Sequence, residues 1–230
     1  MSLAGEGAAA MWHDVRAEGW DDFYEWHNRE HMPERAAIPG FLRGRRYFAV
    51  KGEPAIFSLY EADSPQTLSG TEYLNRLNNP TPWTRRAGTA LFNNSRSLCR
   101  VVASHGSGQG GLISTLRYEV AEGREDEQRR LLAHRILPAL ADRPGICGAH
   151  LLVADRGASD VQTEEKKNRP RKALVPGWIV LVECGTDAAR LEAACGEMLP
   201  DQALLAAGAV APIERGLYQL QYTRSKNARG

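Results

Sequence analysis

Cysteine is scarce in this chain of 230 residues, which contains four. They are Cys99, Cys147, Cys184 and Cys195, and no two of them form a Cys-x-x-Cys pair. Each lies in or beside an apolar segment, where a free thiol behaves as a small buried hydrophobic group. We therefore expect neither a disulfide framework nor a cysteine-based redox or metal site.

The chain also lacks an excess of either charge, because it has 29 Lys and Arg and 28 Asp and Glu, which gives a net charge of +1. Nucleic acids and anionic membranes attract proteins with a basic surplus, so neither partner is expected. No apolar run reaches the roughly 18 residues of a membrane helix, and the first ten residues lack the pattern of a signal peptide. We expect a cytoplasmic, non-membrane protein. The glycine-rich stretch 106–111 lacks the lysine of a phosphate-binding loop.

What the chain does contain is an internal repeat, visible as short matches in the same order. The matching pairs are Ala17-Glu18-Gly19 with Ala121-Glu122-Gly123, Pro33 with Pro138, Pro39-Gly40 with Pro144-Gly145, Pro54 with Pro176, and Arg96 with Arg215. The offset is 104 or 105 residues up to the Pro39-Gly40 match and 122 residues at the Pro54 match. This rise predicts an insertion at 156–175, whose polar composition is typical of a solvated excursion.

Each copy has the pattern strand, helix, strand, strand, helix, strand. The predicted elements are 8–15, 20–38, 41–51, 55–62, 64–77 and 92–104 in the first copy, and 112–120, 124–141, 146–155, 177–184, 187–198 and 211–223 in the second. A β-α-β-β-α-β unit is the ferredoxin-like arrangement.

The sequence therefore predicts an α+β protein of two ferredoxin-like (βαββαβ) repeats, which form a pseudo-dimer of the dimeric α/β-barrel type. Residues 1–105 would form the first half-barrel, which carries the site. Residues 111–230 would form the second half-barrel, with a degenerate site and the insertion at 156–175. Because the helices cover one face of each sheet, we expect the two remaining apolar faces to cover each other.

A resemblance to a known family rests on the run Trp26-His27-Asn28-Arg29-Glu30-His31-Met32-Pro33-Glu34-Arg35, followed by Ile38-Pro39-Gly40-Phe41 and Arg45-Arg46-Tyr47. This run resembles the EthD-like group of the dimeric α+β barrel superfamily, in which a helix carries a histidine in a His-x-Pro step and ends at a Pro-Gly-Phe turn. The resemblance spans most of residues 8–104 and, more faintly, 111–224.

The resemblance implies a pocket between sheet and helices, with His31 at the position of the family's histidine. Relatives include lactone isomerases, cofactor-free monooxygenases, polyketide cyclases, haem enzymes and proteins without known activity, so it implies a pocket rather than one reaction. In the second half Ile136 stands where the counterpart of His31 belongs, and His134 falls opposite Arg29. The second half is therefore predicted to have lost the polar site.

His27 and His31 are four residues apart on a predicted helix, so they project from one face. An imidazole titrates near neutrality and can take or give a proton, which predicts His31 as a general acid/base and His27 as its assistant. Two other interpretations stay open. The segment also fits the His-x-x-Glu-His pattern of zinc protease helices, although we expect no metal here. Alternatively, both histidines fill a semi-polar seam and have only a structural role.

Five further side chains are predicted to contact the substrate: Trp12, Tyr24, Arg45, Tyr47 and Trp83. Arg45 and Tyr47 share one face of a predicted strand, because alternate strand residues point the same way. A buried arginine requires an anion, so Arg45 on the pocket side would indicate a carboxylate or enolate ligand. Trp83 lies in a proline-punctuated stretch that is predicted to form a loop over the pocket mouth.

These features predict a cofactor-independent enzyme that acts on a small aromatic, lactone or polyketide-like metabolite by histidine acid/base chemistry. Its reaction would be of the isomerase, cyclase, lyase or cofactor-free monooxygenase type, and no cofactor is expected. Two alternatives remain: a non-catalytic ligand-binding or stress-associated barrel protein, and a haem-binding barrel with a histidine as axial ligand. A small metabolite is the expected partner, and a homodimer of the tandem barrel is left open.

Overall fold

The computed structural model describes residues 3–167 and 175–226. Its strands are β1 (Gly7–Val15), β2 (Phe41–Lys51), β3 (Ile56–Ala62), β4 (Leu91–His105), β5 (Leu112–Val120), β6 (Ile146–Ala154), β7 (Trp178–Cys184) and β8 (Ala209–Ser225). Its α-helices are α1 (Trp20–Trp26), α2 (Met32–Ala37), α3 (Thr71–Asn78), α4 (Pro82–Gly88), α5 (Glu125–Leu131), α6 (Leu137–Ala141), α7 (Arg156–Asp160), α8 (Glu164–Lys167), α9 (Ala188–Met198) and α10 (Asp201–Ala206). Within the described ranges, none of these helices is long and apolar enough to cross a membrane.

The strands form one closed antiparallel barrel. They hydrogen-bond in the order β1-β3-β2-β8-β5-β7-β6-β4, and the pairing of β4 with β1 closes the barrel. Two ladders join the N-terminal and C-terminal strands: β2 with β8, where Arg46 lies opposite Tyr222, and β4 with β6, where Ser104 lies opposite His150. Closure pairs the backbone groups that an open sheet leaves exposed at its edges.

The predicted fold class of two ferredoxin-like repeats is therefore wrong. Two sheets were expected to cover each other face to face, whereas the strands join edge to edge into a single eight-stranded barrel with helices. Alternating apolar residues locate strands and their buried faces, but they carry no information about which strand edges pair with each other. The division into domains at 1–105 and 111–230 stays a prediction.

Side chains fill the inside of the barrel. One apolar cluster takes at least one residue from every strand and none from a helix. The ring of Phe57 on β3 stacks on Trp12 of β1 with centroids 4.6 Å apart, and on Tyr47 of β2 with centroids 5.5 Å apart. Because strand residues alternate between two faces, the opposite set of side chains points outward, against the helices. The seam between the outer strand face and these helices is where the histidines lie.

The helix predicted over 20–38 is confirmed as α1, a π-helical turn (His27–His31) and α2 in continuous succession. A second π-helical turn (Leu132–Ile136) joins α5 to α6. The stretch predicted as a loop around Pro82 forms α4 instead. Thr81 caps this helix by accepting a hydrogen bond from the backbone N–H of Thr84 at 2.9 Å, and a proline at the first helical position suits that start.

The insertion is structured where the structure describes it. Helices α7 and α8 lie against the N-terminal strands and helices, and both Ser159 and Glu165 are buried. Ser159 accepts a hydrogen bond from the backbone N–H of Leu98 at 2.9 Å. Most residues of 156–167 are exposed, as expected for a solvated excursion, but Ser159, Thr163 and Glu165 are buried, which polar composition does not reveal. Residues 168–174 of the predicted insertion lie outside the described residues.

Candidate functional site

One helical face presents three polar side chains to the outer surface of the barrel. His27, His31 and Arg35 follow one another at intervals of four residues, and each is at most 4% exposed. The two imidazoles stack with their centroids 5.4 Å apart. The π-helical turn between α1 and α2 widens the helix at this point, a feature that is frequent at functional sites. This arrangement creates a polar seam between the helix and the strands, which we call the histidine seam.

His27 has a hydrogen-bond partner at each ring nitrogen. Its Nδ1 lies 3.0 Å from Nη1 of Arg46, and its Nε2 lies 3.2 Å from the hydroxyl of Tyr60. A guanidinium can only donate, so Nδ1 is the acceptor and the proton of the neutral ring lies on Nε2, from which it is donated to Tyr60. Burial, followed by the charge of Arg46, lowers the pKa of His27 well below its usual value. His27 is therefore a neutral group that holds Tyr60 in place.

Among the described residues, Arg46 is surrounded by aromatic rings and forms no salt bridge with a carboxylate. Its Cζ lies within 5.5 Å of the ring centroids of Phe23, Tyr24 and Tyr222, and its Nε donates to Oε1 of Gln221 at 2.7 Å. Such cation–π contacts stabilise a partly desolvated guanidinium. The predicted site residue Tyr24 therefore lies beside Arg46.

His31 lines a small void at the other end of the histidine seam. Tyr60, Arg35, Tyr73 and Arg96 line the same void, which has a volume of about 10 Å³. That volume is about the room that one water molecule needs. Burial raises the pKa of Tyr60, so its phenol stays protonated and its hydroxyl proton is available for donation. The void thus brings an imidazole, a phenol donor and two guanidinium groups together.

This set of groups suits proton transfer at a carbon next to a carbonyl. An imidazole can accept the proton, and a phenol and cations can stabilise the negative charge that develops on the oxygen. Hydrogen-bond donors fixed in a buried site need little reorganisation when that charge appears.

The structure places the predicted residue Arg45 inside the barrel, away from the void beside His31. Arg45 is fully buried; its Nε donates to Oε1 of Glu61 at 3.0 Å, and its Nη1 donates to Oε2 of Glu183 at 2.8 Å. Burial opposes ionisation of Glu183, but the hydrogen bond from His150 and the charge of Arg45 lower its pKa to about 2. The anion that a buried arginine requires is therefore supplied by the protein itself.

Three other predicted contact residues also lie away from the void. Trp12 and Tyr47 point into the barrel interior, where both pack on Phe57. Trp83 lies on α4 and is half-buried, and its Nε1 donates to Oδ1 of Asp22 at 2.8 Å, which ties α4 to α1. Of the seven predicted site residues, only His31 lines the void, and His27 reaches it through Tyr60.

Arg35, Tyr60 and Glu165 are not among the predicted site residues, for different reasons. Arg35 was detectable, because it continues the spacing of four residues from His27 and His31 on the same helical face. Tyr60 was not detectable, since its contact with the helix depends on how β3 is placed in the sheet. Glu165 lines the void from the insertion, where a run of charges indicated solvent exposure.

The glutamate of the His-x-x-Glu-His segment forms hydrogen bonds to α4. Glu30 accepts hydrogen bonds from the hydroxyls of Thr81 at 2.6 Å and Thr84 at 3.1 Å, so it ties the helix to α4. Within residues 3–167 and 175–226, no three or more His, Cys, Asp or Glu side chains converge as a metal site would require.

Comparison with known proteins shows the fold. No known family profile matches the chain, and no curated protein matches it in sequence. Among solved structures, an anthrone oxidase-like protein is similar over 100% of this chain and 97% of its own, with a TM-score of 0.65 and 13% identity. A candidate monooxygenase from Fusobacterium nucleatum is similar over 97% and 96% of the two chains, with a TM-score of 0.61 and 10% identity.

A haem-binding protein from Thermus thermophilus is also similar, over 96% of this chain and 93% of its own, with a TM-score of 0.53 and 10% identity. At these identities the likeness shows an α+β barrel fold and nothing about activity. In the closed histidine seam both nitrogens of His27 are engaged and the void beside His31 has room for about one water, so neither a haem nor a substrate enters without movement. Two larger grooves in the described part of the chain, of about 300 and 320 Å³, have no histidine among their lining residues.

Proposed function

We propose that this protein is a small-molecule enzyme in which His31 transfers a proton to and from a carbon atom of its substrate. The observation that supports this proposal is the shared void. His31 and Tyr60 both line it, and the hydroxyl of Tyr60 is hydrogen-bonded to Nε2 of His27. The substrates would be small aromatic, lactone or polyketide-like metabolites that carry an acidic C–H beside a carbonyl.

In the proposed step, His31 takes a proton from that carbon and the C–H electron pair moves onto the carbonyl oxygen. The hydroxyl of Tyr60 donates a hydrogen bond to the resulting enolate oxygen, while Nε2–H of His27 donates to the oxygen of Tyr60. Return of the proton from His31 to another carbon gives an isomer, and attack of the enolate on a second carbonyl gives a cyclised product. Neither outcome consumes an oxidant.

The experiment that tests this proposal measures deuterium uptake. The protein is incubated in D2O with a set of lactones, β-diketones and hydroxyquinones, and the mass of each compound is followed. We expect faster exchange of at least one compound with the wild-type protein, and loss of that exchange in His31→Gln. His134→Gln is the matched control, because His134 lies exposed on the second π-helical turn.

Two outcomes would overturn the proposal. One is that no compound exchanges faster with the protein than without it. The other is that His31→Gln exchanges the same compound as fast as the wild type, which would assign the proton transfer to a different group.

A second candidate function, a non-catalytic ligand-binding barrel, is favoured by the size of the void, since about 10 Å³ leaves no room for a substrate without movement. The two candidates differ in one measurable respect. A binding protein retains a ligand without accelerating exchange, whereas an enzyme does both.

We also propose, from sequence resemblance, an EthD-like ancestry and a tandem duplication. Two observations support the duplication: the strand order β4-β1-β3-β2 recurs as β8-β5-β7-β6, and the two π-helical turns lie 105 residues apart. A homodimer of the barrel stays a prediction.

A further inference from the structure

Helices α7 and α8 come from the C-terminal half of the chain but close the void of the N-terminal half. Residues Thr163 and Glu165 form part of the wall around the void. Two attachments of this segment are hydrogen bonds to the N-terminal half: the backbone N–H of Leu98 donates to Oγ of Ser159, and the backbone N–H of Glu164 donates to Oδ1 of Asn78 at 3.3 Å. We call this segment, residues 156–167, the α7–α8 cover.

An ion pair between Arg35 and Glu165 joins the cover to the wall of the void. Nη2 of Arg35 donates to Oε1 of Glu165, and the two residues are 3% and 9% exposed. The guanidinium of Arg35 also lies 5.7 Å from the ring centroid of Tyr73. Desolvating two charges costs several kcal/mol, and their attraction offsets this cost only when the contact is close. Nη1 of Arg35 also donates to Oε2 of Glu34 at 3.3 Å, so Glu165 is the one of its two carboxylate partners that the cover supplies.

A second buried guanidinium faces the same space. Arg96 is 7% exposed, and its Nη2 donates to the hydroxyl of Tyr73 at 3.1 Å. Among the described residues, no carboxylate oxygen forms a salt bridge with Arg96. Arg35 and Arg96 thus flank Tyr73, while Glu165 is the carboxylate that lines the void. Lys166 also lines the void, and Glu34 pairs with Arg35 from beside it. Three cations therefore face two carboxylates, a balance that favours an additional anion.

We propose that Glu165 occupies the subsite for a carboxylate group of the ligand, and that a small aromatic carboxylate displaces it from Arg35. This inference deepens the proposed function and depends on it for the location of the site. A guanidinium binds a carboxylate through two parallel hydrogen bonds, a geometry that Arg35 offers once Glu165 has left. Displacement moves the α7–α8 cover outward, which supplies the room that the closed void lacks.

Because Glu165 is attached to the same chain, it competes with any external carboxylate at a high effective concentration. Removing its carboxylate should therefore strengthen the binding of an external one. Benzoate is the probe, since it combines a carboxylate with an aromatic ring, and benzyl alcohol is its neutral counterpart.

The experiment is a calorimetric titration of benzoate into four proteins: wild type, Glu165→Ala, Glu164→Ala and the double variant Glu165→Ala/Arg35→Met. We expect Glu165→Ala to bind benzoate at least about tenfold more tightly than the wild type does. Glu164→Ala is the matched control on the same helix, because Glu164 is exposed and pairs with Lys167, and we expect wild-type affinity. Arg35→Met should abolish the gain, and benzyl alcohol should show none.

The proposal is overturned if Glu165→Ala binds benzoate no better than Glu164→Ala, or if benzyl alcohol gains as much as benzoate. Glu165→Ala removes one of the two carboxylates that pair with the buried Arg35 and leaves only Glu34, so this variant can fold poorly. In that case Glu165→Gln, which keeps the side-chain size, is titrated instead, with the same expected order of affinities. A rise in melting temperature with benzoate provides a second readout.

Failure of this inference and failure of the proposed function are distinguishable. If deuterium exchange depends on His31 but benzoate affinity does not depend on Glu165, the proposed enzymatic function is supported and the carboxylate subsite is rejected. If benzoate affinity depends on Glu165 and Arg35 but the protein accelerates deuterium exchange of no compound, the carboxylate subsite is supported and the protein is a binding protein.

Discussion

The two π-helical turns, His27–His31 and Leu132–Ile136, allow a comparison within one molecule. Each joins two short α-helices, and the two lie 105 residues apart. The first buries two imidazoles in a polar seam, whereas the second buries Leu132 in a cluster of aliphatic side chains. The same backbone feature therefore accommodates either chemistry, so the turn alone does not define a site.

The contrast extends beyond the turns to the polar residues that the helix and strands of the N-terminal repeat contribute to the histidine seam. At the repeat offsets of 105 and 122 residues, the counterparts are Leu132 for His27, Ile136 for His31, Leu140 for Arg35, Leu151 for Arg46 and Val182 for Tyr60. Burying polar groups costs free energy that aliphatic groups at these positions do not cost. Apolar residues fill the corresponding positions of the C-terminal half, so a polar seam is not required by this fold, which supports the binding or catalytic role proposed above.

The largest effect is expected when a histidine is placed in the apolar turn. Leu132→His puts an imidazole into a fully buried aliphatic cluster without a designed partner, and we expect the free energy of unfolding to fall by about 3 kcal/mol or more. Urea denaturation measures the loss, and Leu132→Met is the volume-matched control. A loss equal to that of the control would show that this half tolerates the polar chemistry as well.

The reverse exchange, His27→Leu, should destabilise the protein by about 2 kcal/mol, because Arg46 and Tyr60 each lose a buried hydrogen-bond partner. Adding Arg46→Leu removes the stranded guanidinium, and we expect a coupling energy of about 1 kcal/mol or more between the two positions. A double-mutant cycle by urea denaturation measures it. Strictly additive losses would contradict the contact described here.

The pH dependence of stability should also differ between the halves. The pKa of His27 is lowered in the folded state, so the unfolded chain binds more protons below the ordinary histidine pKa of about 6.5. Stability contributed by neutral His27 is therefore complete above that pH and falls by about 1.4 kcal/mol per pH unit below it. His27→Gln should remove this slope, whereas His134→Gln should leave it unchanged. Equal slopes in wild type and His27→Gln would refute the buried neutral imidazole.

The smallest effect is expected on the outer side of the polar turn. Arg29 pairs with Glu25 at 2.6 Å, but its side chain is 72% exposed, so solvent screens the attraction. His134 stands at the corresponding position of the second turn. Arg29→His should change the free energy of unfolding by less than about 0.5 kcal/mol. A larger change would mean that the outer faces of the turns also differ in function.

Local sequence signals predicted most helices and strands of the structure. The spacing of aromatic residues and histidines located the helix over 20–38, and Ser64-Pro65 marked the start of a helical turn that Ser64 caps. Barrel closure was not predictable, because the pairing of β2 with β8 and of β4 with β6 depends on strand edges far apart in the chain.

The candidate site was predictable only along the helix. Strand alternation puts Arg45 and Arg46 on opposite faces of β2, but it does not say which face meets the helix. The prediction chose Arg45, whereas Arg46 is the residue in contact with His27. The position of Glu165 beside the void depends on how the insertion crosses the N-terminal half, and composition does not reveal that path.

The most direct test of the account is a benzoate titration of the 15N-labelled protein, followed through its backbone amide shifts. We predict that the amide signals shifted by benzoate belong to His27–His31 and to residues 163–166, while the amide shifts of Leu132–Ile136 do not change. A ligand pocket in the histidine seam would be contradicted by perturbations centred on Leu132–Ile136 or on the groove of about 300 Å³ that Lys51 and Cys195 line, or by no perturbations at all.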